Sequence, residues 1–548
     1  MILPCSNEMC LYQQRLGHHS LRLFTVLVLI TLYTCSSLEY KRAVYAMSQE
    51  CVYITTPIYY PNDLPHLGHA YTTVLADVVS RWSTLLGYET FFLTGTDEHG
   101  LKLQREAEKR GVSPKAFVDQ MSEVFKGYWR KLGIEYTRFI RTTDPDHEEL
   151  VRRVIVELWS KGLVYPSVYR GWYCAACERY YSEREYAVVN ERPHCPIHQR
   201  PLEYVEEETY FLRLSQYRDY VVKVLREGNV VFPRQYAEEV ASKIELEGLQ
   251  DLSIARPRER VSWGIELPFD TRFTVYVWID ALLNYLTGAG FAVDRERFYR
   301  LWRGSVQIIG KDILWFHTAV WFSLLAMLGL PPPKKLVVHG FLTVKGQKMG
   351  KSTGNVTSID DMIARYGSAD AVRFIVARVA NFEKDSEVSW DIYDSIYSGD
   401  LVNNYGNLVR RVTSLAIKHL GGVVERIVDE AHAKVVEELV VKAIEHYNNI
   451  RISEAVKAAM DIAHETNAYL NREEPWAKEK PVKTLYTALE SIRLTTLLLQ
   501  PAMPTTSKQI LAAIGVEPEK GLKQFVFGYI EKYHVKESPI PFRKLPKA

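Results

Sequence analysis

Two histidines three residues apart stand where a predicted strand turns into a helix. The turn reads Pro65-His66-Leu67-Gly68-His69, and this spacing places both histidines on one face of the first helical turn. Backbone N–H groups and the helix dipole at such a turn favour an anion such as a phosphate. Gly68 has no side chain, so a flat base can lie against the backbone. The alternative is a pair of surface histidines at a helix cap.

A loop rich in lysine and glycine follows a later predicted strand that ends at His339. The loop runs from Lys345 to Asn355 and also contains Lys348 and Lys351. Such a loop can close over a polyphosphate and stabilise the charge that develops in a transition state. The alternative is a solvated basic loop. Its position beyond the end of a parallel strand, where α/β sheets bind ligands, favours the functional interpretation.

Three cysteines and a histidine have the spacing of a zinc site. Cys174 and Cys177 form one pair, and Cys195 and His198 form a second pair after 17 intervening residues. Each pair can supply two ligands from a tight turn, and four protein ligands predict a structural site with tetrahedral geometry. The alternatives are a disulfide or unrelated buried cysteines. An odd number of cysteines with one well-placed histidine argues against the disulfide.

Further polar and aromatic residues follow predicted strands. Asp97, with Glu98 and His99, could receive an ammonium group. Trp278, Asp280 and Tyr285 follow a later predicted strand, and Gly310-Lys311-Asp312 with His317 follow another. Taken singly, each is explained as a core aromatic or a helix cap. Their shared placement at the carboxyl ends of parallel strands predicts a single cleft.

The elements that must position these residues are strands alternating with helices. Residues 52–56 are predicted to be a buried strand, 66–86 a helix that ends at Gly87, and 91–93 a second strand. Strand, helix and strand in this order make a βαβ unit, which implies a parallel sheet. Residues 275–278, 307–309 and 336–338 are predicted to be later buried strands. The predicted fold class is therefore α/β with a parallel sheet.

The layout predicts a split α/β domain with an insertion and a helical end. The two halves are assigned to residues 47–164 and 271–390, and the insertion, with its own small metal module, to residues 165–270. Strand signals vanish from about residue 395, so residues 391–548 are predicted to be a helical domain. We set residues 1–46 apart as an extension.

Composition excludes several classes of protein. The chain has 548 residues, 47% of them hydrophobic and 24% charged, with a formal net charge of +2. This balance excludes a disordered chain, a collagen-like fibre and a heptad coiled coil. Seven cysteines are too few for a disulfide scaffold. Nucleic-acid binding, if present, must depend on local rather than bulk positive charge.

The N-terminal segment contains a short apolar run at residues 23–35, too short to span a bilayer. Three hypotheses compete for it: a secretory signal peptide, an organelle-targeting leader, and a start codon placed too far upstream. The third is favoured, because Met47 stands just before the first predicted strand. On this hypothesis the working protein begins at Met47.

The histidine turn at residues 65–69 and the lysine loop at residues 345–355 lie about 280 residues apart, in two halves of one predicted nucleotide-binding fold. Together they resemble the two signature motifs of class I aminoacyl-tRNA synthetases. Finer motifs narrow the resemblance to the methionyl-tRNA synthetase family, and it runs from about residue 52 to the 480s. These motifs are Thr56-Pro57-Ile58-Tyr59-Tyr60, Gly95-Thr96-Asp97-Glu98-His99-Gly100, Tyr276-Val277-Trp278-Ile279-Asp280-Ala281 and Gly310-Lys311-Asp312-Ile313.

The resemblance implies a Rossmann-type catalytic domain, split by a zinc-knuckle insertion and followed by an all-α anticodon-binding domain. It also implies a ligase that activates methionine with ATP to methionyl-adenylate and pyrophosphate, then transfers methionine to the terminal adenosine of tRNA. The implied cofactors are one structural Zn²⁺ and the Mg²⁺ that accompanies ATP. A cytoplasmic monomer without membrane association is expected.

The resemblance assigns roles to individual residues. The implied catalytic residues are His66, His69, Lys348 and Lys351. The implied ATP-binding residues are Gly68, Asp312, His339, Gly340 and Arg256. Methionine would be held by Ile58, Tyr60, Asp97, Trp278, Ala281, Tyr285 and His317. The implied anticodon-binding residues are Asn403, Asn407, Arg411 and Trp476.

One departure from the family pattern and several rival hypotheses remain. Gly350 stands in the lysine loop where serine is usual. Leucyl-, isoleucyl- and valyl-tRNA synthetases share both signatures but carry a large editing insertion, for which residues 165–270 leave little room. Cysteinyl-tRNA synthetase would need a catalytic-site zinc that Cys51 alone does not provide. A tRNA-binding factor without catalysis would have no need of the signature residues.

Overall fold

The computed structural model describes residues 51–174, 179–181, 186–189, 191–196, 199–350, 354–537 and 542–546. The apolar run at 23–35 and the proposed start at Met47 lie outside the described residues, as do Cys177, His198 and Lys351. Among the residues that are described, no helix is both long enough and apolar enough to cross a bilayer.

The first half of the α/β domain alternates strands with helices. Its elements are β1 (Cys51–Tyr59), α1 (Leu67–Leu86), β2 (Glu89–Thr96), α2 (Leu101–Lys109), α3 (Pro114–Lys131), β3 (Arg138–Arg141) and α4 (Pro145–Ser160). Strands β1 and β2 are parallel neighbours, so the predicted βαβ unit is confirmed. Helix α1 begins after His66, its N-cap residue, and ends at Gly87, whose φ of 98° is left-handed.

The segment between the two halves of the sheet is mostly antiparallel. Its elements are β4 (Val164–Cys174), β5 (Arg179–Tyr181), β6 (Ala187–Val189), β7 (Arg192–His194), β8 (Glu203–Leu212), α5 (Arg218–Glu227), β9 (Val231–Phe232), α6 (Arg234–Glu247), β10 (Leu252–Ser253), β11 (Ala255–Pro257) and β12 (Phe273–Val275). Strands β10, β8, β4 and β5 form one sheet, and β6 pairs with β7. Strand β9 instead pairs with the edge of the main parallel sheet.

The second half of the α/β domain completes that sheet. Its elements are α7 (Val277–Ala289), α8 (Arg295–Trp302), β13 (Ser305–Gly310), α9 (Trp321–Met327), β14 (Lys335–His339), β15 (Leu342–Val344), β16 (Gln347–Lys348), α10 (Ile359–Tyr366), α11 (Ala369–Val379) and β17 (Ser386–Glu387). The main sheet is parallel, with the order β3-β2-β1-β13-β14-β9. A π-helical turn, Phe316–Val320, leads into α9.

The predicted strand at residues 275–278 is wrong. Strand β12 ends at Val275 and pairs antiparallel with β11, outside the parallel sheet, and Val277 already begins α7. Helix α7 is buried along nearly its whole length, so its first residues are as apolar as those of a buried strand. A short apolar run does not distinguish these two cases.

The chain ends in a predominantly helical domain, as predicted. Its elements are α12 (Trp390–Ile396), a π-helical stretch (Tyr397–Gly406), α13 (Asn407–Leu420), β18 (Val423–Glu425), α14 (Glu430–Asn448), α15 (Ile452–Glu473), α16 (Val482–Leu499), α17 (Pro504–Ala513) and β19 (Lys532–His534). The two strands, β18 and β19, form a small antiparallel ribbon.

Helix α1 joins the parallel sheet to the helical domain. Near its C-terminus, Trp82 stacks on Tyr447 at a centroid distance of 4.5 Å and donates a hydrogen bond from Nε1 to Asn448 Oδ1 at 3.0 Å. Midway along α1, the buried carboxylate of Asp77 lies 2.7 Å from the buried guanidinium of Arg373 on α11. The two domains therefore share one continuous core.

The guanidinium of Arg373 also reaches the helical domain. It donates hydrogen bonds to the carbonyl oxygens of Pro501, at 2.8 Å, and Ala502, at 3.0 Å. These carbonyls belong to the turn between α16 and α17. A single buried cation thus connects α1, α11 and that turn.

Candidate active site

A cleft of about 980 Å³ opens at the carboxyl ends of β1, β2, β13 and β14. This is the edge at which parallel α/β sheets bind ligands. The cleft brings together most of the residues that the sequence singled out. Those that line it are Ile58, Tyr60, His66, Gly68, His69, Asp97, Trp278, Ala281, Tyr285, Asp312, His317, His339, Gly340 and Lys348.

His66 and His69 form a reciprocal cap at the start of α1. Nδ1 of His66 accepts a hydrogen bond from the backbone N–H of Gly68 at 3.0 Å, and Nδ1 of His69 accepts one from the backbone N–H of His66 at 3.2 Å. The two rings lie 4.1 Å apart. Because each Nδ1 accepts, each ring carries its hydrogen on Nε2. The cap therefore fixes the tautomer in which Nε2 is the donor.

Gly68 is required by the geometry of this cap. A Cβ atom at position 68 would lie 2.8 Å from Cε1 of His66, closer than van der Waals contact allows. Any side chain there would displace the His66 ring from its hydrogen bond. The glycine thus serves the orientation of the histidine as well as access to the backbone.

Asp97 lies at the end of β2 on a tightly held segment. Its backbone N–H donates to the carbonyl oxygen of Tyr59 at 2.9 Å, and the residue is 6% exposed. The next residue, Glu98, is fully buried. The Glu98 carboxylate accepts hydrogen bonds from Arg141 Nε at 2.7 Å and Thr143 Oγ1 at 2.6 Å. These bonds fix the backbone that carries Asp97.

Aromatic side chains surround one end of the cleft. Trp278 stacks on Phe316 with ring centroids 3.9 Å apart and planes 6° apart. Nδ1 of His317 donates to the carbonyl oxygen of Ile313 at 3.0 Å, and Nε2 accepts from the hydroxyl of Tyr285 at 2.8 Å. Burial lowers the pKa of His317 to about 4. This histidine is therefore neutral at physiological pH.

The lysine loop also lines the cleft, through Lys348. Nζ of Lys348 lies 2.8 Å from Oδ2 of Asp312 and 3.9 Å from the centroid of the Phe341 ring. Beside it, Nζ of Lys311 pairs with Asp385 at 2.7 Å. Lys348 and Asp312 are each about half exposed. A polyanion entering the cleft can therefore compete for the lysine at low cost.

His339 and Gly340 form the floor beside this loop. Nδ1 of His339 donates to the carbonyl oxygen of Gly340, and Nε2 accepts from the hydroxyl of Thr72, both at 2.8 Å. Burial lowers the pKa of His339. A Cβ atom at position 340 would lie 2.3 Å from the carbonyl oxygen of Lys384. Only glycine allows these two chain segments to approach so closely.

Arg256 is not among the residues that line the cleft in the described chain. It lies on β11, is 2% exposed, and donates to the carbonyl oxygen of Ala255 at 2.8 Å and to the hydroxyl of Ser253 at 3.0 Å. Its guanidinium sits 4.0 Å from the centroid of the Tyr276 ring. These contacts hold the Arg256 guanidinium against Ser253, Ala255 and the ring of Tyr276.

Two of the four predicted zinc ligands are described. Cys174 and Cys195 are buried, reduced, and packed in one small cluster with Tyr181 and Leu202. The Tyr181 hydroxyl lies 3.4 Å from Sγ of Cys195. Cys174 also lines the cleft. The module that carries the cysteines therefore borders the active cleft.

A second candidate site lies on the helical domain. Asn403, on the π-helical stretch, and Asn407 are exposed. Arg411 lies 4.4 Å from the centroid of the Trp476 ring, and Trp476 is 42% exposed. An additional hydrogen bond, 2.9 Å long, links the Arg411 guanidinium to Asn471 Oδ1. Arg411 and Trp476 thus lie in contact, and the amides of Asn403 and Asn407 are exposed on the helical segments that precede Arg411 in the chain.

The sequence did not predict the contacts that Phe316 and Phe341 make at the site, nor the hydrogen-bond partners of Glu98. The stack of Phe316 on Trp278 joins residues that are far apart in the chain. Phe341 contacts both Lys311 and Lys348. The sequence signal for both aromatics was only their proximity to His317 and His339. Neither position shows a spacing that would reveal these long-range contacts.

Models of two protein families match the chain. The model described as tRNA synthetases class I (M) matches residues 52–200 and 188–413. The model described as the anticodon-binding domain of tRNA ligase matches residues 429–538. Of the second candidate site, Trp476 lies within the latter match, whereas Asn403, Asn407 and Arg411 lie within the former.

Individual relatives are similar along most of their length. The methionine--tRNA ligase of Caldanaerobacter subterraneus subsp. tengcongensis is 38% identical over 509 residues, which cover 90% of this chain and 78% of the relative. That of Streptomyces coelicolor is 38% identical, over 86% of this chain and 90% of the relative. The crystal structure of Mycobacterium tuberculosis methionyl-tRNA synthetase bound by methionyl-adenylate is 33% identical. It has a TM-score of 0.85 and covers 90% of this chain and 100% of its own. The chain therefore belongs to the methionine--tRNA ligase family of class I aminoacyl-tRNA synthetases.

Proposed function

We propose that the single cleft at the sheet edge binds methionine at its aromatic end and ATP between the histidine cap and the lysine loop. As a member of its family, the chain is a ligase that joins methionine to tRNA with ATP. One observation carries the assignment of sites: a single cavity is lined by His66, Asp97, Trp278 and Lys348. Methionine's carboxylate then attacks the α-phosphate, giving methionyl-adenylate and pyrophosphate.

No protein nucleophile is needed for this reaction. Positioning of the two substrates and stabilisation of phosphate charge can supply the acceleration. The Nε2–H groups of His66 and His69 are oriented as donors for the ATP phosphates. Lys348, together with Lys351, would neutralise charge on the α-phosphate and pyrophosphate. Mg²⁺ enters with ATP as part of the substrate.

The nucleoside part of ATP is assigned to the floor of the cleft. Asp312 would accept hydrogen bonds from the ribose, while His339 and Gly340 would border the adenine, with Gly68 leaving the backbone open to the base. For Arg256, the buried position on β11 favours support of the cleft wall over direct contact with ATP.

Methionine is assigned to Asp97 and the aromatic end. The buried Asp97 carboxylate would receive the α-ammonium group. A flexible thioether suits a cavity of aromatic and aliphatic groups, because sulfur–ring contacts add affinity. That cavity is formed by Ile58, Tyr60, Trp278, Ala281, Tyr285 and His317.

One structural Zn²⁺ is proposed for the module beside the cleft. The donor set fits: Cys174 and Cys195 are reduced thiols buried in one cluster, and Cys177 and His198 lie close to them in sequence. Four protein ligands of this type give a closed tetrahedral site, so the metal would stabilise the module and take no part in the reaction. Metal analysis of the purified protein should give one zinc per chain, and Cys195→Ser should abolish it.

The tRNA anticodon is assigned to the helical domain. Trp476 offers a face on which a splayed base can stack. Asn403, Asn407 and Arg411 offer amide and guanidinium donors to base edges. The domain assignment by function follows, with residues 47–164 and 271–390 catalytic, 165–270 connective and 391–548 anticodon-binding. We also propose a cytoplasmic location, since buried reduced thiols suit a reducing compartment. The protein is further proposed to be a monomer.

Methionine-dependent ATP–pyrophosphate exchange tests the proposal. The wild-type chain should exchange label only with methionine, and Asp97→Ala should abolish the exchange because the ammonium group loses its counter-ion. Unchanged exchange in Asp97→Ala would overturn the assignment of Asp97. Light scattering at micromolar protein concentration tests whether the protein is a monomer.

A further inference from the structure

A buried carboxylate bridges two histidines behind the aromatic end of the cleft. Asp280 is 1% exposed. Its Oδ2 accepts from His99 Nδ1 at 2.7 Å, and its Oδ1 accepts from His147 Nε2 at 2.8 Å. Nδ1 of His147 is hydrogen-bonded to the hydroxyl of Thr287, also at 2.8 Å. None of these four residues lines the cleft in the described chain.

The bridge connects the two elements that carry the proposed methionine site. Asp280 lies on α7, the helix that presents Trp278 and Tyr285 to the cleft. His99 lies two residues beyond Asp97, the proposed partner of the α-ammonium group. Since the segment is also clamped at Glu98, the bond from His99 to Asp280 fixes its position relative to α7.

The charges of the cluster favour this bond. Burial by itself would lower the pKa of His99, but the facing carboxylates of Asp280, Glu148 and Glu98 raise it above its usual value. Burial by itself would raise the pKa of Asp280, but His99 and His147 lower it. Both shifts favour the charged forms of His99 and Asp280.

A buried ion pair is a costly way to fill space, because an apolar residue of similar volume packs as well or better. What a carboxylate adds is two directional bonds from one side chain to two different elements. Here those elements are the segment after β2 and the N-terminal turn of α4, which carries His147. A network of this kind fixes the positions of the segment after β2 and of α4 relative to α7.

We propose that Asp280 is a positioning residue that fixes the ammonium site at Asp97 relative to the part of the methionine side-chain pocket that lies on α7. The proposal rests on the proposed function, which assigns Asp97 and Trp278 to methionine. It assigns no contact between Asp280 and either substrate. Its consequence is specific to methionine, because the ATP end of the cleft lies on other elements.

Substitution of Asp280 in the full chain tests the proposal, because it should change the KM for methionine and leave the KM for ATP nearly unchanged. In ATP–pyrophosphate exchange, Asp280→Ala should raise the KM for methionine at least tenfold, and Asp280→Asn, which keeps one acceptor, should raise it less. The KM for ATP should stay within about twofold for both variants. A methionine KM within twofold of wild type in Asp280→Ala, or an equal rise in both KM values, overturns the proposal.

A matched control separates positioning from loss of stability. Glu490 is a fully buried carboxylate in the helical domain, paired with Arg493 at 2.7 Å. Glu490→Gln should lower the thermal midpoint without changing the methionine KM. If it raises the methionine KM as much as Asp280→Asn does, the effect is one of stability and the proposal fails. Should Asp280→Ala not fold, His147→Gln replaces it, with the same expected split.

The pH profile gives a readout that a purely structural role would not move. As pH rises through the elevated pKa of His99, the imidazolium loses its charge and the methionine KM of the wild type should increase. In Asp280→Asn the pKa of His99 falls, so the increase should begin at lower pH. Profiles of the same shape and position in both proteins overturn the proposal. Loss of all exchange in Asp97→Ala, measured in parallel, shows that the underlying assignment holds; retained exchange there overturns the proposed function, whatever Asp280 does.

Discussion

Nζ of Lys348 lies 2.8 Å from Oδ2 of Asp312, so a loop lysine is paired with the carboxylate that we assign to the ribose of ATP. Both side chains are about half exposed, and ion pairs of this kind contribute only about 0–1 kcal/mol to stability. The pair thus holds the lysine at the cleft without trapping it there. ATP can separate the two groups and use each of them.

Lys348→Met should lower kcat of the exchange reaction by about 10²-fold or more, because the developing phosphate charge loses a preorganised cation. The midpoint of urea unfolding should stay close to that of the wild type. Lys345→Met, a neutralisation in the same loop at an exposed position, is the matched control and should change kcat by less than about threefold. Equal effects of the two substitutions would show that the loop acts only through its total charge.

The stability of the protein should fall as pH is lowered from 6.5 towards 4, in part because of His317. Burial lowers the pKa of His317 from 6.5 to about 4. Between these values the unfolded chain binds a proton that the folded chain does not, so unfolding is favoured as pH falls. The contribution is on the order of 3 kcal/mol when complete.

Urea unfolding of the wild type and His317→Gln at several pH values checks this prediction. The variant should lose part of the slope of the unfolding free energy against pH between 4 and 6.5, because glutamine does not titrate. The two proteins should have parallel curves above pH 7. Parallel curves over the whole range would contradict the prediction.

Trp476→Ala should reduce aminoacylation of tRNA while leaving ATP–pyrophosphate exchange unchanged, because Trp476 is not among the described residues that line the cleft. Stacking of a base on an aromatic ring is worth about 1–3 kcal/mol, so kcat/KM for tRNA should fall about 5- to 150-fold. Trp390→Ala is the matched control: Trp390, at the start of α12, is 38% exposed and also contacts an arginine. A similar loss in both variants would remove the special role of Trp476.

Asp77→Asn should lower the free energy of unfolding by about 3–5 kcal/mol, because it leaves the buried guanidinium of Arg373 without its counter-ion. Asp400→Asn is the comparison. Asp400 pairs with Arg378 on the same helix α11 at 2.9 Å, but both groups are partly exposed, so the loss should be about 0–1 kcal/mol. Chemical denaturation measures both. Losses of equal size would mean that burial does not set the cost.

Local patterns predicted the parts of this fold that depend on neighbouring residues in the chain. A clear residue spacing marks the histidine cap, helix α1 and the strand before it. The rule that ligands bind at the carboxyl ends of parallel strands placed Asp97, Asp312 and His317 in one cleft. The rule also placed Trp278 there, although that residue follows an antiparallel strand and lies on α7. The placement was right for Trp278, and the reason for it was wrong.

The remaining features depend on contacts between distant residues. The stack of Trp278 on Phe316 and the bridge at Asp280 join segments whose separation in the sequence carries no signal. The π-helical turns that present His317 and Asn403 also lack a sequence signature, since one extra residue in a turn does not disturb an apolar pattern visibly. Folding creates these features, and spacing alone does not predict them.

Helix α1 sets a fixed length between two parts of the protein. It carries the histidine cap at its first turn and the stack of Trp82 on Tyr447 near its last, and 20 residues at about 1.5 Å each make a rod of about 30 Å. Insertion of a single residue between the two ends would turn one end by about 100° relative to the other. A change in the residue count of α1 therefore disturbs the relation between the histidine cap and the helical domain, even at a position where a substitution would leave both in place.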